Sequence, residues 1–410
     1  MNTPRPSTLL TLDEALERLL GAVSPLTETE VVSTFDGQGR VLAQDLHSLV
    51  DVPSADNSAM DGYALRSVDV PAAGTVLPVS QRIPAGTVGT PLQAGTAARI
   101  FTGALLPEGA DAVVMQEQCE ALDSSVRINT VPLPGTAVRR RGEDLSRNAV
   151  ALPRGLRLTP QALGLAATAG AATLTVARRP RVALFSTGDE LAMPGEPLKP
   201  GAIYNSNRFT LRALIQALGC ECTDFGIVPD QLAATRETLR RAAQGHDLIV
   251  TSGGVSVGEE DHLKPAVQAE GTLDLWQMAI KPGKPLAFGS VRRTEQGNAW
   301  FVGLPGNPVS SFVTFLLAVR PLLLKLQGAS ALQPVGVPMR ADFDWLRADK
   351  RREFLRARRN ERGGVDLFTN QGSGVLTSTV WADGLIDNPP ETPIRAGDTV
   401  RFISLAEWVA

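Results

Sequence analysis

The sequence predicts a multidomain chain of α/β plus β class, with a doubly wound α/β domain, a β-rich second domain and a small C-terminal β-domain. Three observations carry this. The chain has 410 residues, beyond the size at which a single hydrophobic core keeps growing. Between about 180 and 327, short apolar runs alternate with segments of helical spacing, the pattern of a mostly parallel sheet covered on both faces. On either side the texture changes to short apolar runs punctuated by glycine and proline, the pattern of β-structure rich in turns.

The elements follow in order. Thr11 and Glu14 form a capping box before Leu12, Ala15, Leu16, Leu19, Leu20 and Val23, which recur at helical spacing. From about 30 to 150, turn signals such as Pro84-Ala85-Gly86 and Pro107-Glu108-Gly109 divide short strands. Thr159-Pro160 opens another helix, with the threonine as cap and the proline at the first helical position. The α/β stretch then predicts strands at Val182 to Phe185, Phe225 to Val228, Leu248 to Thr251, Pro285 to Val291 and Trp300 to Leu304. Its helices are predicted at Asn205 to Leu218, closed by Gly219, at Ala233 to Ala243 and from about Pro308. Beyond Gly328, Glu353 to Arg358 and Thr399 to Ser404 are predicted strands.

Composition narrows the function classes. With 43% apolar and 20% charged residues the chain is of ordinary globular make-up. A formal net charge of -3 gives no electrostatic footprint for nucleic acid, so an anionic ligand has to be held by local basic groups and backbone amides. Met1 to Ser7 lacks a basic region followed by an apolar one, which argues against a secretory signal. The apolar stretch Phe312 to Leu326 is interrupted by Arg320, Pro321 and Lys325, a core helix and a poor membrane span. Cys119, Cys220 and Cys222 form no disulfide framework, and His47, His246 and His262 are too scattered for a zinc site. The expected compartment is the cytoplasm.

In open α/β sheets, ligands bind beyond the carboxyl ends of the strands. Three such ends here carry unusual loops. After Leu248 to Val250 comes Thr251-Ser252-Gly253-Gly254-Val255-Ser256-Val257-Gly258, then Glu259, Glu260 and Asp261. Glycines and small hydroxyl residues let amides converge on a phosphate, and a Mg²⁺ between Asp261 and phosphate oxygens would relieve the acidic run. The competing reading is a glycine turn with a solvated acidic helix start. Leu304-Pro305-Gly306-Asn307-Pro308-Val309-Ser310-Ser311 leads into a helix whose N-terminal amides suit an anion, or it is an ordinary capped start. Ser186-Thr187-Gly188-Asp189-Glu190 puts a carboxylate pair at a strand end, for metal or sugar hydroxyl, or as a solvated turn. Lys281-Pro282-Gly283-Lys284-Pro285 places two compact ammonium charges on a stiff turn, suited to a tetrahedral oxyanion or simply solvated. Arg351-Arg352 with Arg356, Arg358 and Arg359 alternates like one face of a strand, and a solvated face is the commoner explanation.

Taken together the motifs resemble the molybdopterin molybdenumtransferase family, of MoeA and gephyrin E-domain type. They are DNSAMDGYA (Asp56 to Ala64), RIFTGALLPEGADAVV (Arg99 to Val114), VRRRGED (Val138 to Asp144), STGDEL (Ser186 to Leu191) and IYNSN (Ile203 to Asn207). TSGGVSVGEED (Thr251 to Asp261), KPGKP (Lys281 to Pro285), LPGNPVSS (Leu304 to Ser311) and QGSG (Gln371 to Gly374) follow in family order. The resemblance implies four domains: a discontinuous N-terminal helical and linker domain at 1–47 and 143–178, a β-rich domain at 48–142, a molybdopterin-binding-type α/β domain at 179–328, and a C-terminal β-domain at 329–410. It implies an elongated homodimer whose cleft, between the α/β and C-terminal domains, faces the second domain of the other subunit.

The implied reaction is insertion of molybdenum from molybdate into adenylylated molybdopterin, with release of AMP and with Mg²⁺ or another divalent cation. Contact with an adenylyltransferase partner and with apo-molybdoenzymes is implied too; nucleic acid and membrane are not. By motif, Asp61, Asp144, Glu190 and Asp261 are the catalytic candidates, Glu190 and Asp261 also as metal ligands, and Asp61 and Asp144 as acid–base groups or orienters of water. Thr102, Arg139, Asp230, Ser252, Gly253, Gly254, Ser256 and Asn307 are substrate-binding candidates. Lys281, Lys284, Ser310, Arg356 and Ser373 are candidates for molybdate or phosphate. One departure is Gln277, four positions before Lys281, where some relatives carry a basic residue. The alternatives are a molybdopterin adenylyltransferase using ATP, or a pterin-binding scaffold or sensor without catalysis. Asp261→Ala is expected to weaken metal-dependent turnover and leave the fold intact. Unchanged turnover would remove Asp261 from the metal site.

Overall fold

The computed structural model describes residues 9–254, 262–295 and 297–409. Its centre is a seven-stranded sheet in the order Leu9–Leu10, Gly271–Met278, Pro285–Arg292, Asn298–Leu304, Leu248–Ser252, Arg181–Thr187, Glu221–Val228. Alternation across the pleat sorts its side chains. Val182 and Leu184 enter one core with the helices Leu12–Ala22, Ser206–Ala217 and Pro308–Leu326, whereas Ala183 and Phe185 enter another with Leu232–Ala243 and Leu263–Glu270. Both faces are covered, as the alternating pattern requires.

Two features differ from expectation. Gly271–Met278 is a strand that follows the helix Leu263–Glu270 directly, and it runs antiparallel to Pro285–Arg292, which is itself antiparallel to Asn298–Leu304. The sheet is therefore mixed at this side and parallel elsewhere. The N-terminal segment, expected within the domain 1–47, is built into the α/β unit. Leu9–Leu10 pairs in parallel with Gln277–Met278, and Leu12, Ala15, Leu19 and Val23 are buried in the α/β core. The physical reason is the apolar stripe of the first helix, which finds its largest buried partner in the Pro308–Leu326 helix. The Thr11 capping box forms as the sequence indicates.

Pro308–Leu326 is one helix of 19 residues, long and apolar enough to cross a membrane but 89% buried inside the protein. It continues through Arg320 and Pro321 by widening to a π turn at Phe315–Val319, where Arg320 N–H reaches back to the Phe315 carbonyl. Proline lacks the donor for a regular turn, which accounts for the irregularity there. The buried Arg320 guanidinium donates to the carbonyls of Trp408, Glu407 and Leu332, tying the C-terminal segment to this helix.

Around this unit lie three smaller ones. Thr29–Ser33 pairs with Thr173–Ala177 and Leu46–His47 with Val150–Leu152, beside the helix Pro160–Thr168 that Thr159 caps. A six-stranded sheet, Ala112–Met115, Gly62–Leu65, Ala97–Ile100, Thr75–Ile83, Ser125–Ile128, Cys119–Ala121, forms the β-rich unit. The C-terminal unit is a closed barrel. Arg352–Arg359, Gly364–Leu367, Val337–Ala341, Thr399–Ser404 and Gly384–Asn388 pair in that order, and the last pairs back to the first. Ile280–Lys281, leaving the α/β sheet, adds in parallel to Arg352–Glu353 and seams the barrel to it.

Candidate active site

The strands Arg181–Thr187, Leu248–Ser252 and Asn298–Leu304 end side by side, with Ser186 opposite Ser252 and Ser252 opposite Leu304. Their following loops open into one cavity of about 770 Å³. Thr187, Gly188, Ser252, Gly253, Gly254, Pro305, Gly306 and Asn307 line it from the sheet, and the turn Lys281-Pro282-Gly283-Lys284-Pro285 lines it from the side. Arg351, Gln371, Gly372 and Ser373 come from the barrel, and Glu190, Leu191, Ile203, Asn205, Asn207, Asp230 and Ser310 complete the wall.

The glycine loop is dictated by its neighbours. Gly253 has φ of +93°, its N–H donates to the Leu304 carbonyl at 3.1 Å, and a Cβ there would stand 2.7 Å from the Thr187 carbonyl oxygen. Only glycine meets both conditions. Beneath it the Ser186 and Ser252 hydroxyls share a buried hydrogen bond of 3.2 Å. Asn205 caps the helix Ser206–Ala217, and Asn207 Nδ2 donates to the Gly306 carbonyl at 2.7 Å, locking the second loop to that helix. At the start of the Pro308–Leu326 helix, Val309 N–H donates to the Ser373 carbonyl at 3.0 Å. One of the helix's N-terminal amides is thus spent on holding the barrel loop, and the Ser310 side chain beside it faces the cavity.

The cations are arranged unequally. Lys281 Nζ lies 3.1 Å from Glu353 Oε1 and 3.4 Å from Asp349 Oδ2. Glu353 is fully buried, and its other oxygen accepts from the Trp345 indole at 2.8 Å and the Asp349 amide at 3.1 Å. Lys284 is exposed and, among the described residues, makes no ion pair. Arg356 does not reach the cavity. The helix Thr377–Trp381 covers its side of the barrel, so the side chain is buried and its guanidinium donates to Ser378 Oγ and the Phe354 and Gly372 carbonyls. Burial brings its pKa down to about 10, and no carboxylate pairs with it among the described residues. It stands directly behind Gly372 of the wall, an uncompensated charge whose field reaches the cleft.

Asp61, Thr102, Arg139 and Asp144 lie on the second domain or its edge, and none lines this cavity. Asp61 Oδ1 accepts from Thr102 N–H and Thr102 Oγ1, both at 2.8 Å. The Thr102 amide, then its hydroxyl, hold the Asp61 carboxyl below the usual carboxylate range. It is therefore ionised at neutral pH and suited to accept hydrogen bonds. Arg99 ties the pair down, donating to the Gly62 carbonyl and to Gln116 while packing over Phe101. Arg139 pairs with Asn57 in a two-residue ladder, and Asp144 is exposed. Ser256 and Asp261 lie outside the described residues. Gln277 does not line the cavity.

Of the sequence candidates, Glu190, Asp230, Ser252, Gly253, Gly254, Lys281, Lys284, Asn307, Ser310 and Ser373 meet in the cleft. Sequence reasoning passed over Asn205, Asn207, Arg351 and Gln371 as site residues. All four sit in motifs already marked, and their signal was a polar side chain at an element's end. Among the described residues no three acidic, histidine or cysteine side chains gather closely enough to hold a metal. Glu190 and Asp230 still put two hard oxygen donors on the wall that carries the glycine loop.

A glycine loop at the ends of parallel strands, faced by the lysines of the adjoining turn and by Arg351 of a small barrel, is the arrangement of proteins that take a polyanionic small molecule between two domains. Comparison with known proteins identifies which kind. Residues 10–170 match the MoeA N-terminal region (domain I and II), 183–325 a probable molybdopterin binding domain, and 338–405 the MoeA C-terminal region (domain IV). A molybdopterin molybdenumtransferase of Haemophilus influenzae is 40% identical over 96% of this chain and 98% of its own. One from Nostoc sp. is 39% identical over 98% of this chain and 94% of its own. The crystal structure of a molybdopterin biosynthesis moeA protein from Pyrococcus horikoshii OT3 superposes with a TM-score of 0.83 at 29% identity, covering 97% of this chain and all (100%) of that one. The chain belongs to the MoeA family.

Two outcomes are expected. Lys281→Met strands the buried Glu353 carboxylate and lowers unfolding free energy by about 2 kcal/mol, most of it recovered by adding Glu353→Gln; denaturant titration of both variants checks this. Thr102→Val removes the hydroxyl and keeps the amide, so the Asp61 pKa rises partway toward the ordinary value of about 3.9. A ¹³C titration of the carboxyl reads the rise, and an unmoved midpoint would rule out the hydroxyl as a cause.

Proposed function

We propose that this chain inserts molybdenum into adenylylated molybdopterin, taking it from molybdate and releasing AMP, as a step of molybdenum cofactor biosynthesis in the cytoplasm. One observation carries the reading. The Gly253-Gly254 loop and the cations Lys281, Lys284 and Arg351 share a single cleft, with the unpaired Arg356 behind it. Such a cleft suits a ligand with a phosphate at one end and a separate oxyanion beside it. The names of the curated relatives supply molybdopterin and molybdenum transfer.

The roles follow from position. The Gly254 amide, with Ser252 and Asn307, holds the phosphate portion of the pterin substrate, on a turn that the Gly253 hydrogen bond to Leu304 fixes. Lys284, Ser310 and Ser373 hold molybdate, which is substrate here, and Arg356 contributes charge from behind. Glu190 and Asp230 fit a hard divalent ion such as Mg²⁺, with Asp261 the further candidate, because Mg²⁺ takes one or two carboxylates together with phosphate oxygens. Bound there, the ion supplies Lewis-acid polarisation of a phosphoryl oxygen. In a homodimer, Asp61, Thr102, Arg139 and Asp144 of one subunit complete the cleft of the other. Asp61, ionised, then orients a water or a ligand N–H. An adenylyltransferase supplies the substrate and apo-molybdoenzymes receive the product.

The test is incubation of the purified protein with adenylylated molybdopterin, Mg²⁺ and molybdate. Molybdate-dependent AMP release, with recovered activity of an apo-molybdoenzyme, is the expected result. Tight binding of the pterin with neither product would overturn the reading.

A further inference from the structure

Three cationic side chains line the cleft: Lys281, Lys284 and Arg351. One carboxylate touches two of them. Arg351 forks onto Asp349, Nε to Oδ1 at 2.9 Å and Nη2 to Oδ2 at 3.0 Å, and its own amide donates to Oδ1 at 3.1 Å. Lys281 Nζ stands 3.4 Å from the same Oδ2. Arg351 first, then Lys281, hold the Asp349 carboxyl well below the usual carboxylate range. Glu353 is a different case. It is fully buried and spent on Lys281, the Trp345 indole and the Asp349 amide, so it belongs to the seam between barrel and sheet. The Asp349 side chain keeps 22% of its surface exposed and reaches the cleft through the two lining cations that it touches.

We propose that Asp349 is a specificity residue: an internal counter-anion that sets how tightly the cleft binds an incoming oxyanion. A tetrahedral oxyanion needs the same fork of Arg351 N–H groups and the same ammonium. With Asp349 in place the oxyanion has to share or displace a carboxylate, whereas Lys284, which makes no ion pair among the described residues, meets it without that competition. Removing that charge leaves Lys281 and Arg351 with one carboxylate, Glu353, between two cations, and raises the attraction for any dianion. The inference rests on the cleft being an oxyanion site.

The experiment is calorimetric titration of the full chain with molybdate and, as a second probe, with sulfate. Asp349→Asn keeps the side chain's shape and loses its charge, and it should bind both anions on the order of fivefold more tightly, the range expected for a partly exposed ion pair. Asp349→Glu, which restores the charge, should bind as the unsubstituted protein does. Equal or weaker binding by Asp349→Asn would overturn the proposal, because Asp349 would then be a support that presents Arg351. A second measurement needs no variant: saturating the unsubstituted protein with molybdate should move the Asp349 carboxyl ¹³C resonance, and a silent resonance counts against the proposal. If both affinities rise in Asp349→Asn while the unsubstituted protein shows no molybdate-dependent AMP release, the counter-anion stands and the transferase reading falls. If turnover is present and neither affinity changes, the reverse holds.

Discussion

The cleft exists only because the barrel sits at one place on the α/β sheet, and two residues of parallel pairing set that place. Ile280 lies opposite Arg352 and Lys281 opposite Glu353. A ladder so short contributes little by itself. The buried Glu353 carboxylate makes it specific, since every other register would strand a charge away from water and away from Lys281. Phe354, one residue on, packs into the α/β core, and the Val309 to Ser373 hydrogen bond fixes the opposite side of the opening. A charge that is expensive to leave unpaired thus decides the relative position of two domains, and with it the width of the site.

The same economy governs the electrostatics. A chain with a formal charge of -3 cannot attract an anion by its overall field. It concentrates positive potential by unequal neutralisation instead. Lys281 and Arg351 are held against carboxylates, Lys284 is left exposed, and Arg356 is buried behind a loop of glycine and serine with no counter-ion among the described residues. The carboxylates of Glu190 and Asp230 stand on the wall that carries the glycine loop.

How much of this was legible in the sequence depended on whether the constraint was local. Gly253 could be read because a phosphate-type turn at a strand end needs a left-handed residue, and its neighbours Ser252 and Gly254 follow the same logic. The closed second site wall could not. Arg356 shares its strand parity with Arg352 and Arg358, so alternation reads it as one of a solvated row. Only the later helix Thr377–Trp381, folding over that face, buries it. Gly271–Met278 escaped notice because the glycine that caps the helix before it is also its first residue, which leaves no separate loop between the two. The first helix was readable as a helix but not as a member of the α/β core, because amphipathicity names a buried face and not the partner that buries it.

That last feature has a consequence for how the molecule is made. Leu9–Leu10 is an edge strand whose partner, Gln277–Met278, is synthesised only after the linker unit and the β-rich unit. The helix Leu12–Ala22 leaves the ribosome with its apolar stripe exposed, and its lid of Pro308–Leu326 arrives later still. The β-rich unit can close early, since its six strands are contiguous in sequence between Gly62 and Ile128. The N-terminal segment must wait outside it. Vectorial synthesis therefore leaves the Leu9–Ala22 segment undocked until the Pro308–Leu326 helix has been made, dependent meanwhile on whatever shields nascent apolar helices from one another.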